Sequence, residues 1–529
     1  MLGGSSALNF LMVLHPSRGI LDSWSQLGNA GWDYDTLAPY FRKFQTVHAP
    51  PKAARDMCAM TYHEDETATG TGNGPIQVSF SEGYGPTNKA WFETFAQNGL
   101  EVKTDYRSGK ALGAFQNPAS IDPVTHTRSY AASAYYTPEI AARANLVVLT
   151  ETVVNKIVFD TSSGPEPVAT GVEILPKGGQ KRTVTATTEV ILSAGALQSP
   201  QILELSGIGG RDLLTKHGIP VLVDNPNVGE HMQDHPILCQ SFEVAEGTPS
   251  GDVLRDPNVL NALVGMYTQN NGAGPLGQSN ISVAYTPLVD GNGILSESEK
   301  QKLFAPHESS FSSDDLKTVR NLITKSDEPA FQQLLFPTQI TITRNPVSMA
   351  EYIVPCQPDN YVTVMTMLNH PFSRGSVHIS SADVNAAPVW DPKYNSHPLD
   401  MELLARAAQF VEGRLVNPES PLGKMLKPAG EGKRMPDIVG ADKDLEKARE
   451  VVRQRQISVF HVAGSCSMLP KEKGGVVDTR LRVYGTKKLR VVDASIFPLE
   501  PLGNIQSCVY AVAERAADLI KEDRKAKKN

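Results

Sequence analysis

Two side chains near the end of this 529-residue sequence have the types and the spacing for proton chemistry on a small polar substrate. His461 lies in Phe460-His461-Val462-Ala463-Gly464-Ser465-Cys466-Ser467-Met468, and Asn504 follows some forty residues later. Taking a hydride from an alcohol carbon requires the hydroxyl proton to leave at the same time or before, and imidazole, with an ordinary pKa of ~6.5, suits that step near neutrality. A second polar group must hold the substrate oxygen and orient the carbon. One histidine among 12 is ordinarily structural, so what singles out His461 is its setting. It adjoins a run of small residues whose backbone can lie against a flat ligand. The segment Val492-Asp493-Ala494-Ser495 ends a strand nearby, and Asn504 opens a helix.

The elements that must position this pair need a large chain. Its length predicts two large domains or an interleaved pair. A hydrophobic fraction of 40%, a charged fraction of 20%, 42 Gly and 37 Pro fit a loop-rich globular enzyme. A net charge of −7 argues against nucleic acid as a partner, and the one basic run, Arg524-Lys525-Ala526-Lys527-Lys528, reads as a solvated helix end. The five cysteines, Cys58, Cys239, Cys356, Cys466 and Cys508, form neither a metal nor a disulfide pattern, and Cys466 and Cys508 read as small buried residues. No apolar run reaches the ~18 residues of a membrane span, and no signal peptide is visible, which leaves localisation open.

The opening residues Met1-Leu2-Gly3-Gly4-Ser5-Ser6-Ala7-Leu8-Asn9 place a glycine pair where backbone can approach a ligand closely. Downstream come Arg18-Gly19, Asp22-Ser23-Trp24, Gly28-Asn29-Ala30-Gly31-Trp32 and Pro39-Tyr40-Phe41. Together these resemble the first signature of the glucose–methanol–choline (GMC) oxidoreductases, FAD enzymes that oxidise alcohols and sugars. A second stretch, Val190-Ile191-Leu192-Ser193-Ala194-Gly195-Ala196 running into Gly207-Ile208-Gly209, reads as a strand, a turn of small residues and a helix capped by Ser199 with Pro200 in its first turn. Residues 195–209 are similar to the family's second signature almost throughout. Gly464-Ser465-Cys466 after His461 is close to the family's His-x-x-Gly-Thr-Cys, with serine for threonine. Leu489 to Ser495 continues the pattern, and Asn504 stands where the family carries His or Asn.

The resemblance implies a mixed α/β fold: a Rossmann-like FAD-binding domain interleaved with a substrate domain built on an antiparallel sheet. It divides the chain into an FAD-binding region 1–239, a substrate domain 240–454 and a return to the FAD domain at 455–529, with the family's C-terminal module over about 370–515. It implies FAD as cofactor, hydride transfer to flavin N5, His461 as general base and Asn504 as the residue positioning the substrate. Flavin contacts would come from Gly3, Gly4, Ser5, Ser6, Asn9, Asp493, Ala494, Asn504 and Ile505, with Val153 holding the adenine through its backbone. The substrate would be a small alcohol or sugar and the electron acceptor oxygen or a quinone. In such proteins a βαβ unit with Gly-x-Gly-x-x-Gly precedes the first signature. No such unit precedes Leu2, and the run Gly70-Thr71-Gly72-Asn73-Gly74 leads to a strand and reads as a loop, so Met1 is expected to be internal to a longer fold. Two alternatives stay open: a non-redox lyase or cyclase on the same architecture, and an inactive fragment that holds no cofactor.

Between the motifs, the spacing predicts an amphipathic helix over Lys89–Leu100 with Ala90, Phe92, Phe95 and Ala96 inward, and a helix starting at Thr137-Pro138. Strands are expected at Asn145–Leu149, Val153–Phe159, Ala169–Ile174, Thr183–Ala186, Ile281–Tyr285, Gln339–Thr343 and Asn360–Met367. His231 and His235, four apart in a Gly-containing turn, lack the helix and third ligand of a zinc site. Phe304, Phe311, Phe331 and Phe336 read as packing, with a cavity cover as the functional alternative. Ser373 and Arg374 read as structural; Asn369–His378 resembles the family's C-terminal module, which implies a strand of the substrate-domain sheet there. The final helix should bury Val509, Val512, Ala513, Ala516 and Ile520.

Overall fold

The computed structural model describes residues 1–63, 72–101, 105–110, 112–342, 350–353 and 355–526. Gly70 and Thr71 of the glycine run, Thr343 of an expected strand and Lys527 and Lys528 of the basic run lie outside the described residues. Among the described residues the largest sheet has seven strands, all paired antiparallel. Its order runs Arg434–Met435, Pro236–Glu243, Tyr361–Leu368, Phe331–Phe336, Ser282–Thr286, Gly113–Gln116, and Gln456–Ser458 also pairs with Pro236–Glu243. Pro236–Glu243 and Tyr361–Leu368 are buried along their whole length, as expected of central strands covered on both faces.

The second layer is the α/β part. Val190–Leu192 pairs in parallel with Leu489–Val491, and the helix Gln198–Leu205 follows the first of these strands. The other edge of Val190–Leu192 meets no strand among the described residues. The expected strands at 153–159, 169–174 and 183–186 form an antiparallel three-stranded sheet, Thr152–Asp160, Val168–Pro176 and Arg182–Thr185. The first 45 residues pack on the C-terminal block. Trp24 donates its indole N–H to the Leu499 carbonyl at 2.9 Å and packs on Phe497, while Trp32 donates to the Thr479 carbonyl. The Asp-x-Trp and Gly-Asn-x-Gly-Trp motifs thus supply two buried rings, each tethered by its polar edge to the loop it supports.

Several expectations differ from the fold. Asn145–Leu149 is irregular and exposed, with Val147 77% accessible, because this apolar run finds no strand to pair with among the described residues. Gln339–Ile342 is irregular: Gln339 donates its backbone N–H to Asp252 and its side-chain oxygen accepts from the Cys356 and Gln357 N–H groups, which replaces a ladder. Ser373 and Arg374 lie outside the large sheet. Ser376–His378 beyond them pairs with Val389–Asp391 as a separate ladder, and Ser373 and Arg374 bond to Asp400 and Asp315 as structural residues would.

The helix Pro86–Gln97 is turned so that Trp91 is buried and its indole reaches the Val283 carbonyl, which leaves Ala96 exposed. The last helix, Gln506–Ala526, buries Cys508, Ala511, Val512, Ala516 and Leu519, with Ala513 outward. Phe304, Phe311 and Phe331 are core residues; Phe304 and Phe311 pack with Phe372, and Phe336 meets Phe10 edge-on. Cys466 and Cys508 are buried and unpaired, as read from the sequence.

Candidate active site

His461 is held by its backbone before its ring does anything. Its N–H donates to Asp234 Oδ1 at 2.8 Å, and Asp234 Oδ2 accepts hydroxyls from Ser458 and Tyr394. Phe460 just before it adopts a left-handed φ of 64°, uncommon for an aromatic residue, and donates its N–H to Ser458 Oγ. The small-residue run then lies along the strand end. Gly464, Cys466 and Met468 donate their N–H groups to the carbonyls of Ala494, Ser495 and Ile496. Gly464 has φ 80°, and a Cβ there would come within 2.9 Å of Gln233 and of the His231 carbonyl, so only glycine fits. Ser465 uses its hydroxyl to reach the Ala196 carbonyl, tying this block to the second signature.

The ring completes a hydrogen-bonded series with one consistent proton assignment. His235 Nε2 lies 2.9 Å from the Asn369 carbonyl, which can only accept, so Nε2 carries hydrogen. Neutral His235 then offers a lone pair at Nδ1, 3.0 Å from His461 Nδ1, so the hydrogen of His461 sits at Nδ1. His461 Nε2 is left bare and faces Asn504 Nδ2 at 3.2 Å. Asn504 Oδ1 accepts from Gln332 at 3.3 Å, which turns the amide N–H₂ toward the histidine. Burial is the sole cause that lowers the His461 pKa, to about 3, and burial is the first cause that drives His235 down. Both rings are neutral at ordinary pH.

Asn504 could have served simply to cap the final helix. It stands two residues before Gln506, and its side chain is spent on His461 and Gln332 instead. Gly503 before it, at φ 76°, leaves no room for a Cβ, which would lie 2.5 Å from the Tyr285 hydroxyl. Ser199 was expected as a cap. It lies inside the helix Gln198–Leu205 whose N-cap is Leu197, and its hydroxyl donates to Asp493 Oδ2 while accepting from the Ala194 N–H.

The structure gathers most of the sequence-derived residues. Arg128 donates to the Ser6 carbonyl and Asn9 Oδ1, Asn9 donates to Gln506, and Ser6 Oγ accepts from the Ala131 N–H, so the Gly3–Asn9 segment sits at the head of the final helix. Asp493 joins the turn at Gly195, whose N–H it accepts at 3.0 Å. Val153 lies apart on the three-stranded sheet, opposite Leu175, with 41% of its surface exposed.

His235, Asp234, Asn369, Gln332 and Glu500 were missed. Asp234 and His235 carried a signal, the Gly229–His235 segment, which is similar to the family's Gly-x-x-x-x-Asp-His loop but was read only as a turn and not as part of the site; His235 turns to His461. Glu500 is a lone carboxylate in the apolar run Phe497-Pro498-Leu499-Glu500-Pro501-Leu502, 1% exposed. Gln233 fixes that run in place, accepting the Glu500 N–H and pairing with Ala463.

For a flat cofactor, the test is whether bare backbone faces open space. At Gly4 and Gly195 a Cβ would meet nothing within 4 Å, so bare backbone faces open space at both positions. The pattern Gly-x-Gly-x-x-Gly occurs once, as Gly272-Ala273-Gly274-Pro275-Leu276-Gly277, which the sequence reading passed over. It follows the helix Pro257–Gln269 and ends in a 3₁₀ turn, so no strand–turn–helix phosphate site forms there. An apolar cavity of about 430 Å³ runs beside Val190–Leu192, lined by Val154, Ile157, Val172, Val184 and Ile202. No residue of the His461 cluster lines it, so it is not the seat of the proton chemistry.

A two-layer α/β fold with a buried His–Asn pair at the head of a helix defines a flavin-dependent oxidoreductase. The chain belongs to the GMC oxidoreductase family: residues 1–237 match its N-terminal domain and 371–513 its C-terminal domain. FAD is its cofactor. The chain is 33% identical to Dehydrogenase mpl7 of Monascus purpureus over 99% of its own length and 83% of that protein's. Its fold superposes on an FAD-dependent oxidoreductase from Chaetomium thermophilum with a TM-score of 0.83 at 26% identity, covering 99% of this chain and 86% of that one. A fungal aryl-alcohol oxidase gives 0.82 at 27% identity, with the same coverage of both chains. No described helix is long and apolar enough to cross a membrane.

Proposed function

We propose that this protein oxidises a small alcohol at its carbinol carbon, with His461 as general base and Asn504 holding the substrate oxygen. The observation that carries the reading is the bare Nε2 of His461 lying 3.2 Å from the Asn504 amide. A hydroxyl entering between them meets a donor for its oxygen and an acceptor for its hydrogen, which is the geometry general-base catalysis requires. FAD, when bound, supplies the electron sink for the hydrogen leaving the carbon. Gly3, Gly4, Ser5, Ser6, Asn9, Asp493, Ala494, Asn504 and Ile505 would hold its flavin end. The open backbone at Gly4 and Gly195 supports that placement. Val153 would hold the adenine through its backbone, a contact that its place on the outer sheet leaves to experiment.

The similarity to an aryl-alcohol oxidase makes an aromatic primary alcohol the first substrate to try. The acceptor would be oxygen or a quinone, and the rate of reoxidation in air separates the two. The experiment is anaerobic mixing of the FAD-loaded protein with benzyl alcohol. Loss of the oxidised-flavin band near ~450 nm is expected. A band unchanged by benzyl alcohol and by a panel of other primary alcohols would contradict the reading.

A further inference from the structure

Burial that holds His461 near pKa 3 keeps it neutral, but it also makes the ring a poor resting place for the substrate proton. A buried base of this kind works when something stabilises its protonated form, and the unused group at the site is Glu500. Its Oε1 lies 3.4 Å from His235 Nδ1, the atom that accepts from His461 Nδ1. Both carboxyl oxygens are buried and have no hydrogen-bond partner, and burial, with Asp234 nearby, pushes the carboxyl well above the usual carboxylate range, so it rests protonated with one oxygen free to accept.

We infer that Glu500 is a positioning residue for the base: it is the acceptor awaiting a hydrogen that His235 carries only after His461 has taken the substrate proton. The proposal rests on His461 being the base. In the step, the substrate O–H bond breaks and an N–H bond forms at His461 Nε2. The Nδ1–H bond of His461 then breaks and an N–H bond forms at His235 Nδ1, across 3.0 Å between rings set nearly perpendicular, at 84°. His461 is neutral again, now with hydrogen at Nε2, and the positive charge rests on His235 one residue away from the reacting atoms. His235 then holds two hydrogens: the one at Nε2 stays on the Asn369 carbonyl, and the new one is on Nδ1, which lies 3.0 Å from His461 Nδ1 on one side with Glu500 Oε1 at 3.4 Å beside it. The vacancy at Glu500 is filled in the protonated state and empty in the resting one. A site built this way stabilises the state formed during reaction over the state before it.

The other charged and titratable groups facing the cluster are accounted for. Asp234 is bound to the His461 N–H, Ser458 and Tyr394, and Arg374 is paired with Asp315. Burial holds His370 neutral, with a pKa of about 3. None of these groups offers His235 Nδ1 an acceptor among its recorded hydrogen bonds.

The test is the imidazole titration of His235 and His461 followed by ¹⁵N NMR on the FAD-loaded protein, in wild type, Glu500→Gln and Glu500→Leu. Glutamine keeps an accepting oxygen and leucine removes it. We expect Glu500→Leu to lower the pKa of the histidine pair by about one to two pH units, the size of one hydrogen bond to a charged group, and Glu500→Gln to lie between leucine and wild type. Under turnover, kcat should fall about tenfold or more in Glu500→Leu with KM little changed. An unchanged titration in a folded Glu500→Leu protein would overturn the inference. So would a stoichiometric transition metal in the purified wild type, since it would supply the missing partner of the carboxylate. The titration does not depend on turnover, so failure of the Glu500 role and failure of His461 as the base are read separately.

Discussion

Two histidines in this molecule, one held between carboxylates and one not, are driven in opposite directions. His378 lies between Glu204 at 2.7 Å and Glu230 at 3.1 Å, and those two hydrogen bonds raise its pKa to about 9. His461 has no carboxylate on either ring nitrogen, and burial alone brings it to about 3. Around His378 every acceptor is used: Glu204 also takes the Ile379 N–H, and the charged ring welds the helix Gln198–Leu205 to the strand Ser376–His378. Around His461 the one unprotonated nitrogen meets only the Asn504 amide, and the nearest glutamate, Glu500, is left without a hydrogen-bond partner. The satisfied histidine is structural. The unsatisfied one has something left to do.

The largest effect that could break this contrast is loss of the ion triad. His378→Ala leaves Glu204, which is fully buried, without its counter-charge, and removal of one partner from a buried pair costs about 3–5 kcal/mol. Urea unfolding should show that loss, while the flavin-reduction rate of the protein that stays folded should be close to wild type. Next in size, Asn504→Ala should slow anaerobic reduction by roughly 10–100-fold, the worth of one hydrogen bond to a developing charge, with little change in the urea midpoint. Equal losses of rate and stability would dissolve the distinction between the two regions.

The pH dependence of stability sharpens it further, because the two histidine types work opposite limbs. His378 has a folded-state pKa above its ordinary 6.5, so its contribution is complete below about pH 6.5 and is lost as pH rises through about 9. His461 and His235 have folded-state values below 6.5, so stability is present above 6.5 and is lost as pH falls toward 3. Thermal unfolding across pH 4–10 in wild type and His378→Ala should show the alkaline limb flatten in the variant and the acid limb persist. Last and smallest, Phe304→Leu should cost about 1 kcal/mol of stability and leave the reduction rate alone, because Phe304 packs against Phe311 and Phe372 in the core. A change in substrate affinity there would restore the cavity-cover reading.

How far the sequence could be read follows the same division. Elements set by local pattern were visible: the three-stranded sheet at 152–185, the helix after Thr137-Pro138, the turn at Gly195 and the small-residue run after His461. His461 and Asn504 were legible because each sits inside a motif whose spacing is itself informative. The partners that tune them were not, because they meet through space. His235 is 226 residues from His461 in sequence, Gln332 is 172 from Asn504, and Glu500 has no pattern around it beyond being one charge in an apolar run. Asn145–Leu149 failed for a related reason: an apolar run predicts a strand only where another strand receives it. Ser199 and Asn504 show the limit of capping rules, since both were claimed by tertiary hydrogen bonds that no local pattern encodes.

The central claim is that His461 takes the substrate proton. Its most direct test is stopped-flow reduction of the FAD-loaded protein by benzyl alcohol without oxygen, comparing wild type with His461→Ala at equal flavin content. The account predicts that the variant keeps its flavin and bleaches about 10²–10⁴-fold more slowly. Bleaching at the wild-type rate would remove His461 from the mechanism.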